Sequence, residues 1–158
     1  MITDKIKNLF QYIEFLHSNI DNFNKYNGLI QELKLLEKES FELSKFNNHI
    51  NKGKRDLIDK EISEKCDLIV KNIDTPIENK AIELGICDFK NRPIFNLSGV
   101  EDDIFNLEPE DLAEILKQKK LYLDYVLSTH RPFLKSGLFF TKLEKILCEM
   151  FDKSNDWL

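Results

Sequence analysis

The chain has 158 residues, a formal net charge of −5 and a sequence pI of about 5.3. With 42% apolar and 32% charged residues, this is the composition of one globular domain rather than of a disordered segment. The mild acidity argues against a dedicated duplex-DNA binder. No run approaches 18 uncharged apolar residues, which excludes a helical membrane span.

A chain of this size buries roughly 70% of the surface its unfolded form exposes. Twelve Phe and few Ala imply a core of large side chains. The N-terminal stretch is charged through its first two turns and lacks the apolar run and cleavage site of a signal peptide. Cys66, Cys87 and Cys148 are odd in number and widely spaced, and no Cys-x-x-Cys occurs. Reduced, mostly buried thiols in a cytoplasmic protein are the expectation. Lys far exceeds Arg, and Ile, Lys and Asn are abundant. These residues have AT-rich codons, which points to a low-GC bacterial or phage gene.

In chain order, Ile2, Ile6, Leu9, Ile13, Leu16, Ile20 and Phe23 repeat at alternating spacings of four and three. That is the seam of a helix packed on a helix, within the chain or against a second copy. Phe10 and Phe15 widen it. The period allows either one long helix over about 3–46 or two helices that meet near 18–28; the Asn-rich stretch lowers helix propensity and favours the break, with Ser18–Asp21 as a capping box and Asn27–Gly28 as a weak breaker. Leu29, Leu33, Leu36, Ser40 and Leu43 resume the same period. Residues 47–55, with Gly53, read as a polar turn that reverses the chain. Helix returns near Arg55, with Ile58, Ile62, Cys66, Ile69 and Ile73 on one stripe.

At Thr75, Pro76 and Glu78 a capping box predicts a restart or a kink. Gly85 stands where a left-handed residue would end the helix. Residues 86–100 are the least helical part, with a short extended piece around Ile94, Phe95 and Leu97. Ser98 with Glu101 predicts a capping box for a short helix over 99–106. Pro109 opens a helix with the stripe Leu112, Ile115, Leu116, Leu123, Val126 and Leu127. The last helix spans 138–152, with Phe139, Phe140, Leu143, Ile146, Leu147, Met150 and Phe151 inward. His130, Arg131 and Pro132 form the corner between these two helices. The fold class is therefore all-α: a single helical bundle of five to seven helices in one domain, residues 1–158. Within it lie N-terminal long helices (1–85), an irregular connection (86–107) and a C-terminal helix pair (108–152).

For chemistry, the sequence holds neither Gly-x-Ser-x-Gly nor a Gly-rich phosphate loop. The calcium-loop pattern is also missing, and no two His or Cys stand at ligand spacing within a helix. The Arg-then-His spacing of four to six residues used by one class of helical ribonucleases does not occur. No metal or cofactor is expected. Seven carboxylates between Glu101 and Leu116 read as helix N-terminal electrostatics. Glu101, Asp102 and Asp103 are the candidates for docking a basic partner. Lys54, Arg55, Lys90, Arg92 and Arg131 are the candidates for nucleic acid, with Phe89 and Phe95 available to stack. His130, beside Arg131, is the candidate for acid–base work. The favoured function is a non-enzymatic protein–protein interaction protein: a regulator, inhibitor, immunity-type factor or accessory subunit of a bacterial or phage system. Self-association is the other form such an interaction takes. A nucleic-acid-binding helical protein is the alternative, and a small helical enzyme using His130 is the second alternative.

Overall fold

The N-terminal seam is consumed inside the chain. In the computed structural model, which describes residues 2–45, 49–89, 93–95, 97–129 and 137–157 (backbone alone at Phe89, 93–95 and 137–140), it forms α1 (Asp4–Ser18). Ile6, Leu9, Phe10, Tyr12, Ile13 and Leu16 are all buried. Each apolar side chain so buried contributes roughly 1.5–3 kcal/mol relative to exposure. Thr3 caps the helix, its Oγ1 accepting from the Ile6 amide.

The Asn-rich stretch breaks the helix, as its propensities predict. The Asn19 side chain turns back to donate to the Phe15 carbonyl. A short α2 (Ile20–Asn24) follows and buries Phe23. The Ser18–Asp21 capping box does not form, because Ser18 Oγ donates to the Phe15 carbonyl instead. Asn27 and Gly28 do not break the chain either. They are the first residues of α3 (Asn27–Ser44), where a poor helix former costs little.

α4 (His49–Ile69) runs back along α3. The expected turn over 47–55 is thus mostly helix: Gly53, Lys54 and Arg55 lie within α4, and 46–48 lie outside the described residues. The predicted restart or kink at Thr75 takes the form of a π-helical turn, Val70–Asp74, after which α5 (Thr75–Glu83) begins with Pro76 in its first turn but without the expected capping box. Asp74 keeps helical dihedrals, and no side chain caps α5. One extra residue is absorbed in the wider turn, so Pro76, which has no N–H to donate, follows without a break. α5 ends as predicted: Gly85 is left-handed (φ 70°). The Ile86 amide donates to the Ala81 carbonyl and the Gly85 amide to Ile82, the paired bonds of a Schellman motif.

The irregular segment contains a small antiparallel hairpin, β1 (Cys87–Phe89) with β2 (Pro93–Phe95), in register Cys87↔Phe95. α6 (Val100–Phe105) then starts from Gly99, left-handed at φ 82°. The Ser98–Glu101 capping box is not formed, since no side chain caps α6. Lys5 Nζ donates to the Ser98 carbonyl, and a Cβ at position 99 would lie 2.9 Å from that ammonium. The left-handed φ favours glycine there, and the flexible Lys5 side chain would have to move aside for a Cβ.

A 3-10 turn, Pro109–Asp111, opens α7 (Leu112–Ser128). Its buried face is Ile115, Gln118, Tyr122 and Tyr125. The predicted apolar stripe is therefore corrected, for Leu123 and Leu127 are exposed. Both faces repeat at helical spacing, and the one carrying Gln118 packs on α1 because Glu14 is there to accept its amide. α8 (Gly137–Asn155) buries Leu143, Ile146, Leu147, Met150 and Phe151. Six helices have nine residues or more, so the fold is the expected all-α bundle. α1 and α7 run parallel at its centre, since Glu14–Gln118, His17–Asp124 and Asn24–Ser128 ascend together. No described helix is long and apolar enough to cross a membrane.

Candidate functional site

α3 and α4 form an arm. They pack chiefly on each other, and among the described residues neither packs extensively on another element apart from the π turn that continues α4. Ser40 Oγ donates to Asp59 Oδ1 at 2.8 Å, and Lys65 Nζ donates to Glu32 Oε2 at 2.7 Å. These pairs set an antiparallel register. The seam is a single stripe on each helix. Ile58, Ile62 and Cys66 are half-buried, and only towards the body do Ile69 and Ile73 become fully buried. On α3, Leu33 is buried while Leu29, Leu36 and Leu43 are half-buried. Most of the seam is therefore only partly covered.

The outer faces of the arm carry large apolar side chains. Leu35 is 69% exposed, Phe41 63%, and Ile50 and Leu57 72% each. Isolated exposed apolar residues are ordinary, whereas contiguous exposed apolar patches point to contact surfaces. Residues 45–55 include Lys45, Lys52, Lys54 and Arg55 and no carboxylate. Acidic side chains are spread along the rest of both helices, from Glu32, Glu61, Glu64 and Asp67 nearer the body to Glu37, Glu39, Glu42, Asp56 and Asp59 nearer the tip. Lys65, held by the Glu32 hydrogen bond, is pushed above its usual pKa.

The candidate residues from the sequence are not gathered into one place. Lys54 is exposed on α4, and Arg55 is half-buried along the seam. Glu101, Asp102 and Asp103 occupy the first turn of α6, where Asp103 Oδ2 accepts from Thr3 Oγ1. Lys90, Arg92, His130 and Arg131 lie outside the described residues, and so does the corner that His130 and Arg131 were expected to form. His17 faces Asp124, Nε2 to Oδ2 at 2.7 Å, tying α1 to α7. His49 is exposed at the start of α4.

A second feature was not read from the sequence: polar groups buried in the body. Asp74, at the end of the π turn, is almost wholly buried, as are Gln118 and Ser154. Gln118 Nε2 donates to both Glu14 and Glu114 at 3.0 Å. Tyr12, Tyr122, Tyr125 and Cys87 are buried as well. Burial pushes Tyr12 well above its usual pKa, and Tyr125, Cys87, Tyr122 and Glu78 raise it further. Burial likewise takes Tyr125 up to about 12, against a Thr129 hydrogen bond and with Glu144 and Asp74 adding to the rise. Cys87 goes up to about 12, by burial and then by Glu78 and Asp88. These groups keep their protons at neutral pH. Cys66 and Cys148 are also pushed up, mainly by burial, although Cys148 is exposed overall rather than buried as expected. No thiol is an activated nucleophile. Among the described residues no three His, Cys, Asp or Glu side chains are grouped to hold a metal ion.

No protein-family model matches the chain, and neither a curated protein nor a solved structure matches it.

Proposed function

We propose that this protein is a non-enzymatic interaction protein, a regulator, inhibitor or accessory subunit, and that the α3–α4 arm is its contact element. One observation carries the reading: the arm extends a half-covered seam away from the core and displays Leu35, Phe41, Ile50 and Leu57 to solvent. Exposed apolar side chains on a solvent-projecting helix pair give up little stability when altered, so their placement serves contact rather than folding.

The test compares the full chain with an Ile50→Glu/Leu57→Glu variant as bait in extracts of the source cells. The reading expects proteins retained by the wild type and lost by the variant, with equal helix content in both baits. Identical retention by both would remove the arm as the contact element.

Nucleic-acid binding is a second reading, favoured by the cations Lys45, Lys52, Lys54 and Arg55 along an acid-free stretch of the arm. It expects binding to DNA or RNA that weakens as salt rises. Absence of binding at low salt would dispose of it.

A further inference from the structure

The outer stripe of α4 is Ile50, Lys54, Leu57, Glu61, Glu64 and Leu68. Ile50, Leu57 and Leu68 are separated by 7 and 11 residues, so at 100° per residue they lie within about 20° of one another on the helix. All three are exposed, Leu68 at 46%. Read in the opposite direction, the stripe complements itself. Ile50 meets Leu68, Lys54 meets Glu64, and Leu57 meets the aliphatic stem of Glu61. A two-fold interface demands this property, because the same patch must serve on both sides.

We infer that the arm's occupant is a second copy of this chain, docked through antiparallel α4 helices. The inference rests on the reading of the arm as a contact element. Each Lys54 faces the partner copy's Glu64 across the two-fold axis, twice per dimer, and the apolar residues fall between and outside these pairs. A parallel arrangement would instead stack Lys54 on Lys54 and Glu64 on Glu64. The seam at Ile2–Phe23 takes no part, since its residues Ile6, Leu9, Ile13 and Leu16 are buried and α1 packs on α5, α6 and α7.

The contact strip is short. From Ile50 to Leu68 it spans about 27 Å at 1.5 Å per residue, and one helix is roughly 10 Å wide. Such an area belongs to weak, concentration-dependent complexes, with dissociation constants in the micromolar range or above.

Sedimentation equilibrium of the full chain from about 5 to about 500 μM covers the micromolar range and reads the mass directly. The wild type is expected to rise from 18.7 kDa towards twice that value. Leu57→Glu should remain monomeric with unchanged helix content by circular dichroism. Lys54→Glu and Glu64→Lys should each weaken association at least about tenfold, by placing like charges opposite each other. An equimolar mixture of these two variants should associate more strongly than either alone, because each charge then meets its opposite. A wild type that stays monomeric throughout overturns self-association, leaving the retention experiment with extracts to decide the contact reading separately. A Leu57→Glu chain that dimerises like the wild type, or a charge-variant mixture no stronger than its components, overturns the antiparallel α4 pairing.

Discussion

Lys65 Nζ of α4 lies 2.7 Å from Glu32 Oε2 of α3, with Glu61 a looser neighbour at 3.8 Å. This ion pair, together with Ser40–Asp59, holds the two helices of the arm in register. Both carboxylates are largely exposed, so the pair sets alignment more than stability. Glu32→Gln is therefore expected to cost less than about 1 kcal/mol. The effect should appear as faster amide exchange in α3 and α4, with α1 and α7 unchanged. Faster exchange across the whole molecule would mean the arm is not an independent unit.

Burial separates the core from the exposed face of the arm. Ile13 is fully buried and Leu57 is 72% exposed. Ile13→Ala should destabilise the chain by about 2–5 kcal/mol in urea unfolding. Leu57→Ala should stay within about 0.5 kcal/mol of the wild type. A large loss for Leu57→Ala would place that side chain in a packed interior.

Gly53 sits inside α4, and a Cβ added there would meet nothing within 4 Å; its φ is not positive. Gly53→Ala should then stabilise the arm by about 0.5–1 kcal/mol, through helix propensity alone. Thermal unfolding that is unchanged or lowered would contradict a helical Gly53. The opposite holds at Gly99, where any side chain meets the Lys5 ammonium.

The three thiols differ in access. Cys148 is exposed, Cys66 half-buried and Cys87 buried. A disulfide reagent at pH 8 should label them in that order, with Cys87 reacting only on unfolding. Cys87 rises from 9.0 to about 12 on folding, and Tyr125 from 10.0 to about 12. In both, the folded state favours the proton-bearing form. Their contribution is thus fully present below about pH 9, and it is lost as pH rises from 9 through 12. Urea midpoints measured from pH 8 to 11 should fall steadily. A midpoint that rose over this interval would contradict the burial of these groups.

Much of the body was legible because its signal is local. The spacing from Ile2 to Phe23, the glycine at 85 and the last helix all depend on period or on backbone freedom, and each appears as read. α7 was misread because Leu123 and Leu127 make as regular a stripe as Tyr122 and Tyr125. Deciding between them requires the α1 partner Glu14, a tertiary fact. Thr75, Pro76 and Glu78 signal a restart or kink, which takes the form of a π turn without the expected capping box. The arm had one visible sign, the single-residue width of the stripe Ile58, Ile62, Cys66. A narrow stripe flanked by charge fits a helix pair better than a core helix. That the pair stands away from the body, and that Asp74 lies buried, depends on packing that no local pattern encodes.

Amide hydrogen exchange of the wild type at low and at high protein concentration tests the central claim, that α3–α4 is the contact surface. The account predicts slower exchange at high concentration over residues 50–68, with α1, α7 and α8 unchanged. Slower exchange confined to the body, with the arm unaffected, would contradict it.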